Sequence, residues 1–404
     1  MSLITPAEAR ECVLARVRPL ELETVALPAS LGRVLGEPLA SADDIPPFDS
    51  SAMDGFAVRA ADTRGARPDE PVELRLVGES RAGAPAPSGP GPGEAVRIST
   101  GAVLPPGADA VVRVEDTAER DAIVAIHAEV EPGKEIRRAA EDVSAGEQVL
   151  NAGQVLGAAE LAVAASVGAG VVGCRRRPRV SILVTGDELV EPGQPLADGQ
   201  IRNTNGIAIE AQAREAGAEI TSRATVGDDF RATIEALASA LQADVAVTTG
   251  GVSVGPHDHV KPALAELGVE EVFWGVALRP GKPTWFGTRG RTLVFGLPGN
   301  PVSAMVTFQL FVLPALRALQ GADPDATRST AVLDGPVTRN PDRDEAVRCT
   351  LRMADDGWHA NPTGPQGSHV ISSMIGAGAL AIVPAGEGDI APGERVTVEL
   401  LGNG

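Results

Sequence analysis

Hydrophobic positions along the chain fall into successive patterns. The opening stretch, MSLITPAEARECVLARV, places apolar side chains at helical spacing after Thr5-Pro6, which joins a capping hydroxyl to a proline in the first turn. From about 20 to 176 the pattern changes to short alternating or apolar runs, among them VELRLVG, EAVRIST, DAVVRVED and AIVAIHAEV, cut by GPGPG, PPG and EPG turns. This predicts a β-rich region, broken by a short apolar helix over 158–168 and followed by CRRRPR as a connector.

From 177 to about 320, apolar strands alternate with helices. VSILVTGDE leads to a helix near 206–217, DVAVTTGG to one near 259–267, and TLVFGLPGNP to one over 301–319. Strands separated by helices predict a parallel sheet covered on both faces. Ligands of such sheets sit beyond the carboxyl ends of the strands, and all three glycine-bearing loops lie at that edge. From 324 onward strands return as AVRCTLRMA, ALAIVPAG and ERVTVELL, a terminal β domain. The expected fold class is therefore multidomain, α/β plus β.

Composition narrows the function classes. A chain of 404 residues, 43% apolar and 22% charged, is long enough for several cores. A net charge of −19 opposes binding to nucleic acid or to an anionic membrane, both polyanions. An anionic substrate must then be held by a local basic group or by backbone amides. Only Lys134, Lys261 and Lys282 among the basic residues are lysines. Cys12, Cys174 and Cys349 are far apart and form no CxxC, which suits a reducing cytoplasm. The apolar stretch 161–173 is too short to cross a bilayer, and the N-terminus lacks the layout of a signal peptide. GAGVVG at 168–173 has GxGxxG spacing but follows a helical segment and leads to CRRRPR, the wrong context for a dinucleotide loop.

Several loops hold candidate chemistry. TGDEL ends a buried strand with Asp187 and Glu188, hard oxygen donors of the kind Mg²⁺ takes, although an Asx turn explains them as well. TTGGVSVGPHDHVK sets Gly250, Gly251 and Gly255 before a helix, where bare amides can face an anion, with Asp258 at the helix start, where a cap alone also accounts for it. His257 and His259 flank Asp258 and read as surface residues. LPGNPVSA repeats the design: Gly299 for close approach, Asn300 as cap, Pro301 at the first position and Ser303 in the first turn. RPGKP supplies the cations Arg279 and Lys282. Asp228 and Asp229 open the next helix, one as its cap. In the β-rich region, PPFDSSAMDGFAV and RISTGAVLPPGADAVV hold Asp49, Ser50, Ser51, Asp54, Ser99 and Thr100.

Together, positions 46–58, 97–112, 181–189, 199–205 (GQIRNTN), 248–261, 279–283, 297–304 and 366–369 (QGSH) resemble, in collinear order, the molybdopterin molybdenumtransferase family of the MoeA type, to which the C-terminal domain of gephyrin is related. The resemblance implies an elongated subunit. It would comprise 1–45 with 144–176 as N-terminal helix and linking domain, 46–143 as a β-rich domain, 177–323 as an α/β domain similar to molybdopterin adenylyltransferase, and 324–404 as a C-terminal β-barrel. It implies a homodimer with sites shared between subunits, transient contact with an adenylyltransferase, and no nucleic acid or membrane partner. The implied reaction inserts molybdate into adenylylated molybdopterin with Mg²⁺, releasing AMP. Its implied catalytic residues are Asp54, Thr100, Glu188, Asp228 and Asp258, with metal ligands drawn from Asp187, Glu188, Asp228 and Asp258. The implied substrate contacts are Ser99, Gly250, Gly251, Ser253, Arg279, Lys282, Pro298, Gly299, Asn300, Pro301, Ser303 and Ser368. Three places depart from the family pattern: Arg279 stands where many relatives have lysine, Pro256-His257 precede Asp258, and RDEAVR, with Arg343 and Arg348, fits the barrel pattern loosely. The alternatives are adenylyl transfer to molybdopterin and a pterin-binding scaffold without turnover; the intact carboxylate set disfavours the second.

Overall fold

The computed structural model describes residues 3–251 and 258–402. Helix α1 (Pro6–Leu14) starts with a reciprocal cap: the Glu8 amide donates to Thr5 Oγ1 at 3.2 Å and the Thr5 amide to Glu8 Oε2 at 2.8 Å. The chain then runs through β1 (Leu22–Ala26) into a sheet of β2 (Gly55–Val58), β3 (Val72–Ser80), β4 (Glu94–Ile98), β5 (Ala110–Arg113), β6 (Thr117–Arg120) and β7 (Ile123–Ile126). Their spatial order is β5-β2-β4-β3-β7-β6, and inward Phe56, Val58, Leu74, Val112, Val124 and Ile126 form the core. The chain returns through α2 (Ala158–Ser166) to β8 (Val171–Arg175), which pairs antiparallel with β1. The first residues of CRRRPR are thus strand and not connector, because β1 offers them an edge. Leu35, Leu150, Leu156, Val172 and Cys174 seal this linking unit.

The α/β region follows as β9 (Arg179–Thr185), β10 (Leu189–Val190), β11 (Ile201–Arg202), α3 (Asn205–Glu215), β12 (Glu219–Val226), α4 (Phe230–Ala240), β13 (Val245–Thr249), α5 (Val260–Glu266), β14 (Glu270–Trp274), β15 (Leu278–Arg279), β16 (Trp285–Arg289), β17 (Thr292–Leu297) and α6 (Pro301–Leu319). The sheet order is β12-β9-β13-β17-β16-β14. The first four strands are parallel, as expected; β16 runs against β17, and β14, antiparallel to β16, runs in the direction of the first four. The reason is the link between β16 and β17, where Gly290 turns at φ +59; a connection that short can only reverse the chain.

Helix α6 is long and apolar enough to cross a membrane by composition, yet 78% of its apolar window is buried within the fold, which makes it a core helix. It passes through a π-helical turn at Phe308–Val312 just before Pro314. Proline has no amide to give to the Leu310 carbonyl, and Arg10 Nη1 of α1 donates to that oxygen at 3.2 Å. Ala9, Val13, Val17 and Leu20 follow Arg10 into the same core. The N-terminal helix therefore packs on the α/β region, whereas the sequence groups it with the linking domain. The irregularity that draws it there lies some 300 residues downstream.

The C-terminal strands β18 (Arg328–Leu333), β19 (Asp344–Ala354), β20 (Gly357–Pro362), β21 (Ala379–Val383) and β22 (Arg395–Leu400) close into a five-stranded barrel, β19-β20-β18-β22-β21 and back to β19. Leu333, Val347, Cys349, Ala360, Val383 and Val398 fill it. The long strand β19 also pairs in parallel with β15, which fastens the barrel to the α/β region.

On the barrel wall, His359 Nδ1 lies 2.7 Å from Asp334 Oδ1 and Nε2 lies 2.8 Å from Asp356 Oδ1. A neutral imidazole can donate to only one of them, so the pair of carboxylates favours the imidazolium and raises the His359 pKa above 6.5. A raised folded pKa means that the stabilisation is fully present below the unfolded value and is lost as pH rises through the folded one. Thermal melts across that window should show wild-type barrel stability falling with pH, and His359→Gln should flatten the fall. A wild-type profile as flat as the variant's would contradict the assignment.

Candidate active site at the carboxyl edge of the sheet

Parallel strands release their connections at one edge, and the loops after β9, β12, β13 and β17 gather there. After β9, Gly186 adopts φ +147 and the Glu188 side chain folds back over it, so that a Cβ at 186 would stand 2.5 Å from Glu188 Oε2. Asp187 Oδ1 accepts the Asp228 amide at 2.9 Å, which joins the TGDEL and VGDD loops. A Cβ at Gly227 would lie 2.4 Å from the same oxygen, hence the glycine. Asp229 caps α4 by accepting the Ala232 amide at 2.7 Å, leaving Asp228 as the loop carboxylate.

The glycine loops pack equally closely. Gly250 and Gly251 hold φ +85 and +62, and a Cβ on Gly250 would stand 2.6 Å from the Thr185 carbonyl. Gly299 approaches the Gly250 Cα, and Thr249 Oγ1 donates to the Pro298 carbonyl at 3.0 Å, so the β13 and β17 loops form one surface. Helix α5 begins at Val260 with His259 at the cap position, its ring edge-on to Phe230. Asp258 therefore stands one residue before the cap. Ser253, Gly255, Pro256 and His257 lie outside the described residues. Among those described, no group of three or more His, Cys, Asp or Glu gathers at metal-binding range, so Asp187, Glu188, Asp228 and Asp258 form no preassembled cage.

The barrel reaches this edge. Asn300 occupies the cap position of α6, but its side chain does not cap the helix as the sequence suggests; Nδ2 reaches across to Ser368 Oγ at 3.2 Å. The Val302 amide, free at a helix start, donates to the Ser368 carbonyl at 3.3 Å. Ser303 sits buried in the same first turn, behind Pro301. Arg348, fully buried, holds the loop that carries Ser368 by donating from Nη2 to the carbonyls of Pro365 (3.2 Å) and Gly367 (3.4 Å), and burial pushes its guanidinium pKa down. Arg279 Nη1 pairs with Glu345 Oε1 at 2.8 Å, at the strand joint between sheet and barrel. Its charge is thus already partly answered, whereas Lys282, exposed on the same turn, forms no ion pair among the described residues.

The β-rich motifs form a second cluster. Asp54 Oδ1 accepts the Thr100 amide at 2.7 Å, and the Asp54 carbonyl accepts the Val114 amide, which fixes Ser99-Thr100 beside Asp54. Asp49 takes a structural role: the Ala139 amide and Arg138 Nη1 hold its carboxyl below the usual carboxylate range. Among the described residues no hydrogen bond or salt bridge joins this cluster to the α/β edge.

Two buried asparagines, Asn203 and Asn205, receive no role in the sequence reading, although their stretch GQIRNTN is part of the resemblance. Both are buried, at 1% and 8% exposure, and their amides join the loops just described. The available signal was a pair of amides two apart at a helix start, directly downstream of an acidic loop.

Comparison with known proteins gives the same outline. Residues 4–168 match the model described as MoeA N-terminal region (domain I and II), 181–318 the probable molybdopterin binding domain, and 330–401 the MoeA C-terminal region (domain IV). Molybdopterin molybdenumtransferase 2 of Mycobacterium tuberculosis (strain ATCC 25618 / H37Rv) is 38% identical over 402 residues, 97% of this chain and 98% of that one. The Haemophilus influenzae molybdopterin molybdenumtransferase is 34% identical over 403 residues, 98% of each. A solved molybdopterin biosynthesis moeA protein from Pyrococcus horikoshii OT3 superposes with a TM-score of 0.84 at 30% identity, covering 99% of this chain and 100% of that one.

Lys282→Ala should weaken binding of a polyanion such as pyrophosphate far more than Lys134→Ala, whose side chain pairs with Glu135 at 3.3 Å. Losing one charge-assisted contact costs about 1.5–3 kcal/mol, roughly 10- to 150-fold in affinity. Calorimetric titration of both variants decides it, and equal losses would contradict the placement of Lys282 at the site.

Proposed function

The chain belongs to the molybdopterin molybdenumtransferase family and is a transferase of molybdenum cofactor biosynthesis, and we propose that it inserts molybdate into adenylylated molybdopterin, releasing AMP and molybdenum cofactor. The observation that carries this reading is the convergence of a carboxylate pair of loops and an amide-rich pair of loops at one sheet edge. A pyrophosphate linkage needs both: amides and a free cation for its oxygens, and carboxylates beside the phosphorus that is attacked.

In this reading the Gly250-Gly251 loop, the LPGNP loop at the start of α6 and Lys282 bind the phosphates, with Arg279 and Ser368 at the barrel side. Asp187 and Asp228 suit Mg²⁺, because that ion takes one or two carboxylates and fills its remaining sites from water and substrate phosphate, so no protein cage is required. Mg²⁺ bound there supplies charge neutralisation for the cleaved linkage. Glu188 and Asp258 orient the attacking oxygen. The three free thiols, Cys12, Cys174 and Cys349, suit a reducing cytoplasm.

Asp54 and Thr100 belong to the reaction only if another subunit delivers them, since nothing described joins their cluster to the edge within one chain. We therefore include a homodimer with shared sites in the proposal, and contact with an adenylyltransferase as the source of substrate.

One experiment tests both parts. Asp54→Asn and Asp258→Asn should each melt like wild type and release no AMP from adenylylated molybdopterin with molybdate and Mg²⁺. Mixed after subunit exchange, they should recover roughly a quarter of wild-type release, because half the dimers are mixed and each mixed dimer holds one intact site. Wild-type AMP release by Asp258→Asn would remove that carboxylate from the mechanism. Two inactive variants that fail to complement would contradict the shared site.

A further inference from the structure

The four loops of the edge come from four strands, and local sequence gives them no reason to keep a common register. Two side-chain amides bridge them. Asn203 Nδ2 donates to Glu191 Oε1 at 2.8 Å and to Thr225 Oγ1 at 3.0 Å, while its Oδ1 accepts the Gly206 amide at 3.0 Å. Glu191 extends the loop of Asp187 and Glu188, and Thr225 lies just ahead of Gly227 and Asp228. Asn205 Nδ2 donates to Thr249 Oγ1 at 2.9 Å and to the Gly299 carbonyl at 2.7 Å. Thr249 precedes Gly250, and Gly299 precedes the start of α6.

The division follows the sheet order. Helix α3 leaves β9, which lies between β12 on one side and β13 and then β17 on the other. Asn203 grips the β9 and β12 loops, and Asn205 grips the β13 and β17 loops. Glu191 is fixed further by Thr225 Oγ1 at 3.2 Å and Arg223 Nη1 at 3.3 Å, and its carboxyl is held below the usual range, chiefly by the Asn203 bond. Asn203 is thus one of three donors that face this anion. Resting on the functional reading above, we propose that Asn203 and Asn205 are positioning residues with separate duties. Asn203 sets the carboxylates that act in turnover, and Asn205 sets the amide surface that binds the substrate phosphates.

This division makes the two sites separable in kinetics, which a general loss of stability does not. Asn203→Asp sets a carboxylate against Glu191 and should lower kcat for AMP release by about 10- to 100-fold, the range for residues that orient ligands, with KM nearly unchanged. Asn205→Ala should instead raise KM, and the equilibrium Kd for molybdopterin read from pterin fluorescence, by about the same factor, with kcat nearly unchanged. Adding Glu191→Gln to Asn203→Asp should restore kcat, because the amide introduced at 191 donates to the carboxylate introduced at 203. Thermal melts accompany every variant, and if Asn203→Asp does not fold, Asn203→Ser reads the same split.

Variants that lose kcat and binding together, or a folded double variant with no recovery, would overturn the division while leaving the transferase assignment standing. A folded wild-type protein that neither binds molybdopterin nor releases AMP would overturn the functional reading and this proposal with it.

Discussion

Parallel pairing of β12, β9, β13 and β17 is the constraint from which the rest of the molecule follows. Each of these strands must send its chain back over a face of the sheet before the next can pair, so every outgoing loop emerges at one edge. Residues at positions 187, 228, 250 and 299 become neighbours for that reason alone. An antiparallel sheet of the same strands would have scattered them over two edges. Antiparallel pairing at β16 marks where the constraint ends, although the connection from β14 to β16 still carries Arg279 and Lys282.

Gathering loops is not the same as fixing them. Glycines at 227, 250 and 251 let the chain approach the Asp187 carboxyl, the Thr185 carbonyl and the Val260 side chain to distances a Cβ would forbid, and the side-chain amides of Asn203 and Asn205 then hold the approach. The barrel completes the edge from outside. It is tethered by the β15–β19 pairing and by Arg279–Glu345, and it brings Ser368 onto the first turn of α6 through a loop shaped by buried Arg348. Helix α1 braces the far end of α6 where Pro314 leaves the Leu310 carbonyl to Arg10. Distant parts of the sequence thus meet on one helix: α1 at its proline, the barrel loop at its cap.

What was legible in the sequence was periodic or chemically punctuated. VSILVT, DVAVTT and TLVFGL are apolar without alternation because both faces of their strands are covered, and that pattern alone placed the parallel sheet and its ligand edge. Thr5-Pro6 announced the first helix. The features that escaped depend on tertiary partners. Asn300 has the sequence of a cap, yet Ser368, 68 residues away, takes its amide. Arg279 looks like a free cation until β19 brings Glu345 beside it. The strand at Val171–Arg175 exists because β1 is there to pair with it, and no local rule encodes that edge. Asn203 and Asn205 are ordinary turn residues by composition; their importance lies in which loops they touch.

The central claim is that one sheet edge binds the phosphates of a molybdopterin substrate. A crystal structure of the protein grown with adenylylated molybdopterin tests it most directly. The account predicts pyrophosphate density against the Gly250-Gly251 loop and the first turn of α6, within reach of Lys282, with Asp187 and Asp228 on the opposite side. Ordered substrate in the cavity of about 810 Å³ between the linking unit and the far part of α6, lined by Val34, Gln212, Phe308 and Leu401, with the sheet edge left bare, would contradict it.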